Sequence, residues 1–222
     1  MRPRMFFLFA VIFSFLCPAC PAQTTVALSL YGAFNESITG NNTVQSPANS
    51  AGGLLELRHI RNPLFGYEAT YAYNRANQGL SNYAHVCSIN GCGYATAAIS
   101  ANAHEVTGDW VVSLKTKSFR PFALAGGGLL LNVPTGGTVT TTDCGENDPL
   151  CSQTTTAAAT STTATGVFVY GAGVDWKLLP RLGLRLQYRG NVYKPSDVTN
   201  AFTSTNAFTH TAEPVIGVYF RL

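Results

Sequence analysis

The sequence predicts an all-β fold, an eight-stranded antiparallel up-and-down transmembrane β-barrel. Three observations predict it. After residue 23, stretches of roughly ten residues alternate apolar with polar or small side chains, and that is the length a tilted strand needs to cross a bilayer. The stretches are joined alternately by tight turns and by long polar connections. Charged residues make up only 11% of the 222-residue chain, against ~25% in typical soluble domains, so a soluble surface is hard to build from it. A net charge of +3 is too small to point to nucleic acid or acidic partners.

The chain opens with Met1-Arg2-Pro3-Arg4, continues as an apolar run from Met5 to Leu16, and then reads Cys17-Pro18-Ala19-Cys20-Pro21-Ala22. This is the layout of a secretory signal peptide, with cleavage expected after Ala22. The apolar run is shorter than the ~20 residues of a spanning helix. Cys17, Pro18 and Ala19 do not make a lipoprotein signal before Cys20. Residues 1–22 are therefore read as a cleaved signal, and residues 23–222 as the barrel domain.

Each strand is recognised by the set it turns outward. The first shows Val26, Leu28, Leu30, Gly32 and Phe34, the second Gly53, Leu55, Leu57 and His59, and the third Phe65, Tyr67, Ala69, Tyr71 and Tyr73. The fourth shows Val106, Gly108, Trp110, Val112 and Leu114, and the fifth is read as Phe122, Leu124, Gly126, Gly128 and Leu130. The sixth shows Phe168, Tyr170, Ala172, Val174 and Trp176, and the seventh Leu182, Leu184, Leu186 and Tyr188. The eighth shows Ala212, Pro214, Ile216, Val218, Phe220 and Leu222. A membrane barrel turns such a belt to lipid and keeps a polar interior.

The short connections are Asn62-Pro63, Lys115 to Ser118 and Leu179-Pro180-Arg181. The long ones run over 35–49, 74–103, 132–165 and 194–209, rich in Asn, Ser, Thr and Gly. Short turns are expected in the periplasm with both termini, and the four long loops outside. The Thr/Ala/Ser run from Gln153 to Thr165 reads equally as disordered loop or as β-ribbon above the membrane. Around Pro180, antiparallel pairing sets Trp176 opposite Leu184 and Asp175 opposite Arg185.

The inward faces are expected to hold Glu56, Arg58, Glu68, Glu105, Asp109, Asp175, Lys177, Arg185, Arg189, Glu213 and Arg221. Near balance of sign suits a closed interior where each buried charge needs a partner. An eight-stranded barrel is narrow enough for side chains to fill. Aromatic girdles are expected from Phe65, Phe122, Trp176 and Phe220 at the periplasmic level. Phe34, Tyr71, Tyr73, Phe168 and Tyr170 form the outer one.

After the signal, Cys87, Cys92, Cys144 and Cys151 remain, an even number in an exported chain. Of the three connectivities, the local pairs Cys87–Cys92 and Cys144–Cys151 are preferred. The spacing does not suit zinc.

Several segments resemble the small OmpA/OmpX-like eight-stranded outer-membrane barrels. Arg120-Pro121-Phe122-Ala123-Leu124-Ala125-Gly126-Gly127-Gly128 is similar to the family's fifth strand. Gly171-Ala172-Gly173-Val174-Asp175 is similar to its sixth, and Leu184-Arg185-Leu186-Gln187-Tyr188-Arg189 to its seventh. Gly217-Val218-Tyr219-Phe220-Arg221-Leu222 resembles the C-terminal signal of the barrel-assembly machinery, with Leu where Phe is usual. The resemblance spans residues 24–222. It implies a bacterial outer-membrane location, with surrounding lipid and the assembly machinery as partners. Sec export is expected from the signal segment, and no periplasmic peptidoglycan-binding domain is expected after the eighth strand.

Chemistry is sparse. His104, Glu105, His210 and Glu213 are expected near the outer rim, and with Ser204 they mimic a Ser-His-Glu hydrolase, but no catalytic motif accompanies them. Asp143, Glu146 and Asp148 lack the spacing of a calcium loop. No enzyme activity, catalytic residue, metal or cofactor is expected. The function expected is a monomeric structural or surface-interaction (adhesin-like) barrel with a side-chain-plugged interior. It acts on an extracellular partner through its loops and has no nucleic-acid role. The alternatives are a narrow porin or hydrophobic-solute channel, or a lipid-modifying barrel enzyme.

Overall fold

The structure is a computed structural model and describes residues 23–61, 64–88, 91–114, 116–144, 151–195, 199 and 202–222. At residues 78, 82–88, 91 and 92 it describes the backbone alone. The signal segment over 1–22, the turn residues Asn62 and Pro63, and Lys115 lie outside the described residues.

The described chain contains eleven strands and no helix: β1 (Gln23–Asn35), β2 (Ile38–Gly40), β3 (Thr43–Pro47), β4 (Ser50–Ile60), β5 (Phe65–Ser88), β6 (Gly91–Ser113), β7 (Phe119–Cys144), β8 (Ser152–Ala157), β9 (Thr163–Lys177), β10 (Leu182–Tyr193) and β11 (Thr209–Arg221). Eight of these close the barrel, in the order β1-β4-β5-β6-β7-β9-β10-β11, all antiparallel neighbours. The ring closes where β1 meets β11, from Thr25 opposite Arg221 to Asn35 opposite Thr211. Closure leaves no edge that lipid would have to satisfy. The β9–β10 hairpin has the register read from Pro180: Trp176 faces Leu184, and Asp175 faces Arg185.

The alternation is physical as well as sequential. Leu28 and Leu30 are each 70% exposed on the outer wall, while Ser29 and Tyr31, which alternate with them, are buried. Outward sets on seven of the eight barrel strands are those expected. The fifth, on β7, is inverted. Phe122, Leu124 and Leu130 are buried, and Phe119, Leu129 and Leu131 face out. Both faces of this segment are apolar or glycine, so alternation alone does not fix its register. The interior decides instead. Phe122 lies beneath the Arg58 guanidinium, 3.8 Å from its Cζ to the ring centroid. Gly126 faces inward opposite Asp109, where a Cβ would collide with that residue and with the Gly108 carbonyl. Phe122 therefore leaves the girdle. On the same strand Phe119 takes its place, stacked on Trp176 at 5.6 Å.

The other difference is in the long connections. β5, β6 and β7 run far past the membrane-length segment, and the β2–β3 hairpin and β8 extend them into one sheet. The Thr-rich run resolves in part as ribbon, with β8 pairing Thr138–Asp143 of β7. Asn41 and Asn42 turn the β2–β3 hairpin at φ of 48° and 57°, left-handed values that Asn tolerates. Gly136, at φ 152°, sits at the bulge where β7 shifts register against Ser100 and Ala101. The inner face of this wall has an apolar cluster of its own: Leu80, Ala97, Ile99, Val139 and Phe202. Phe202 comes from the last connection, so the wall is packed against it. Asn41 Nδ2 also donates to the Ser204 carbonyl at 2.7 Å.

Candidate functional site

The candidate site is the lumen, where alternation delivers charge from opposite walls. Toward the turn end, two arginines meet three carboxylates. Arg58 on β4 donates through Nε to Glu68 Oε2 at 2.6 Å and through Nη1 to Asp175 Oδ2 at 3.1 Å. Arg185 on β10 donates through Nε to Asp175 Oδ1 at 2.7 Å. Its Nη1 reaches both Glu56 Oε1 and Glu68 Oε2, each at 3.1 Å. Ser29 Oγ donates to the second Glu56 oxygen at 2.7 Å. Arg58 Nη2 has no acceptor, and the face of its guanidinium lies on Phe122. Arg185 is 0% exposed.

Ring order gives these bonds their meaning. β5 and β10 lie four strands apart in either direction, as do β4 and β9. The Arg185–Glu68 and Arg58–Asp175 bridges therefore span the full barrel diameter.

Toward the loop end a single arginine is shared. Arg189 on β10 donates to Glu213 Oε2 at 3.0 Å and, closely, to Glu105. Asn191 Nδ2 donates to the remaining oxygens, Glu105 Oε2 at 2.8 Å and Glu213 Oε1 at 3.1 Å. Thr107 Oγ1 donates to Asp109 Oδ2 at 3.1 Å, and the other Asp109 oxygen is buried without a partner. Above this cluster is a polar cavity of about 50 Å³, lined by Glu105, Glu213, Asn191, Tyr31 and Tyr193 among others.

Nine of the eleven residues read as lumenal charges lie in these two clusters or between them. Lys177 and Arg221 do not. Both have inward parity but stand at the ends of β9 and β11, exposed at the barrel mouth. The buried lumen is thus acidic, without the near balance expected. One charge was missed: Arg120, half-buried on β7 opposite Asp175. An arginine two residues before Phe122 was the available signal, since the inverted reading sends its guanidinium into lipid.

The rim histidines and glutamates do not converge. His104 and His210 lie on the outer face, where they bond the hydroxyls of Tyr71 at 2.8 Å and Tyr170 at 2.9 Å. Glu105 and Glu213 point the other way, to Arg189. Among the described residues no group of three His, Cys, Asp or Glu is placed to hold a metal. Glu146 and Asp148 lie outside them.

Cys144 and Cys151 form a disulfide. Cys87 and Cys92 are backbone partners across β5 and β6, with their side chains outside the described residues. In the lumenal clusters the hydroxyls of Ser29 and Thr107 are buried, and each donates to a carboxylate. What the arrangement offers is a set of buried charge-assisted hydrogen bonds tying opposite walls together.

No protein-family model and no curated protein matches the sequence. Solved structures do. OprG, an outer-membrane protein of Pseudomonas aeruginosa, aligns with a TM-score of 0.54 at 10% identity, over 91% of this chain and 97% of that one. Neisserial surface protein A aligns with a TM-score of 0.51 at 14% identity, over 90% of this chain and 99% of that one. At such identities the likeness is one of fold. The chain has the fold of the eight-stranded outer-membrane β-barrels, as its resemblance to the OmpA/OmpX-like barrels implied.

Proposed function

We propose that the protein is an outer-membrane surface-interaction barrel, with its lumen filled by side chains and its partner met at the loop end. The observation that carries this reading is the wall built by β2, β3 and β5–β8. Chain of loop-like composition is folded into a sheet with its own apolar cluster at Leu80, Ala97, Ile99, Val139 and Phe202. Such a wall presents a fixed surface to a partner, at lower ordering cost than floppy loops. The full-diameter bridges favour this reading over a porin or solute channel. The separation of His104 and His210 from Glu105 and Glu213 favours it over a hydrolase.

In the same reading, residues 1–22 are a Sec signal removed on export and residues 23–222 are the barrel domain. Both termini and the short turns face the periplasm. The last strand addresses the barrel-assembly machinery, Cys87 and Cys92 form a second loop disulfide, and the barrel is a monomer in lipid. Planar-bilayer recording of the refolded protein tests the plug. No stepwise conductance is expected. Regular conductance steps would contradict it and make the channel the better reading.

A further inference from the structure

The turn end of the barrel differs in charge from the rest of the molecule. Lys117, Arg120, Lys177 and Arg221 line one cleft of about 170 Å³ at the barrel mouth. The carboxylate in that lining is Asp175, already bonded to Arg58 and Arg185. Arg181 lies exposed on the adjoining turn, and among the described residues of these turns there is no other carboxylate. Among the described residues the loop end has no such bias, since Glu36 and Asp143 stand there with Arg75 and Lys194.

The cations are interleaved with exposed leucines. Leu178, Leu179 and Leu182 flank Arg181, Leu114 precedes the Lys117 turn, and Leu222 follows Arg221. The stacked Phe119–Trp176 pair lies beside the same cleft. A soluble anion would be met by cations alone. Leucines and aromatics beside the cations suit an interface with acyl chains on one side and phosphates on the other. We propose that the turn end is a docking surface for anionic phospholipids, with a headgroup phosphate taken up in the cleft of Lys117, Lys177 and Arg221. The proposal rests on the reading that the chain spans a bilayer.

The test uses the protein in nanodiscs of phosphatidylcholine and phosphatidylglycerol in equal amounts, with native mass spectrometry of the lipids retained on release. Phosphatidylglycerol is expected to exceed phosphatidylcholine by about fivefold or more, the scale of one basic residue at an anionic surface. The triple variant Lys117→Gln/Lys177→Gln/Arg221→Gln is expected to bring the ratio near one, with the folded barrel verified by its heat-dependent gel mobility. Lys177→Gln alone, at an exposed strand end, is expected to lower the ratio in part. Equal retention of both lipids by the wild type, or an unchanged ratio in both variants, overturns the proposal. Loss of the bound lipid to millimolar soluble glycerol phosphate overturns the lipid in favour of a free phosphate. A chain that fails to enter the disc overturns the membrane reading, whereas one that enters and retains both lipids equally overturns only the docking surface.

Discussion

The two charge clusters of the lumen are built from the same residue types and do different mechanical work. The one toward the turn end sets two guanidinium groups among Glu56, Glu68 and Asp175, and two of its bonds, Arg58–Asp175 and Arg185–Glu68, run wall to opposite wall. The one toward the loop end holds Glu105 and Glu213 with Arg189 as its one cation and Asn191 beside it, and its bonds join β10 to β6 and to its neighbour β11. A cavity opens beside the second cluster. Ring position separates them: two bonds of the first cluster span the full four-strand diameter, whereas the widest bond of the second, Arg189–Glu105, spans three strands. Buried ion pairs are poor evidence of net stability against an apolar core, but removing one partner is costly.

Breaking the brace should give the largest effect. Arg185→Ala leaves three carboxylates with Arg58 alone and is expected to cost ~3–5 kcal/mol, read from the urea unfolding midpoint in detergent micelles. Arg189→Ala strands two carboxylates beside a polar cavity that water can enter. Its loss is expected at the low end of that range, about 3 kcal/mol, with part recovered by adding Glu213→Gln. A larger loss from Arg189→Ala than from Arg185→Ala would reverse the comparison. Phe122→Leu keeps an apolar side chain under Arg58 but removes the ring face, and should cost about 1 kcal/mol in the same assay. Lys177→Ala, at an exposed strand end, should move the midpoint by no more than the ~0.5 kcal/mol typical of surface changes.

What was legible in the sequence follows from where alternation has a single solution. On β10, leucines alternate with Arg185, Gln187 and Arg189, and only one face can meet lipid; the register about Pro180 then follows from turn geometry. On β7, phenylalanine, leucine, alanine and glycine stand on both faces, so parity rested on one local signal, Arg120, and on contacts with Arg58 and Asp109, which lie on other strands. Lys177 and Arg221 have the right parity but lie past the buried span, and parity does not report depth. The wall was hidden for a different reason. Its Thr, Ser and Ala residues read by composition as long polar connections, with the run over 153–165 open to loop or ribbon, and they become strand through pairing with neighbours and the cluster around Phe202.

The central claim is that the lumen is braced across its full diameter. A double-mutant cycle on Glu68→Gln and Arg185→Met, followed by chemical unfolding, tests it most directly. The two residues lie on strands half the ring apart and are 3.1 Å from contact atom to contact atom. A coupling of ~1–3 kcal/mol is expected, within the range for residues sharing one buried network. Strict additivity of the two losses would contradict the brace and leave a lumen whose opposite walls do not hold each other.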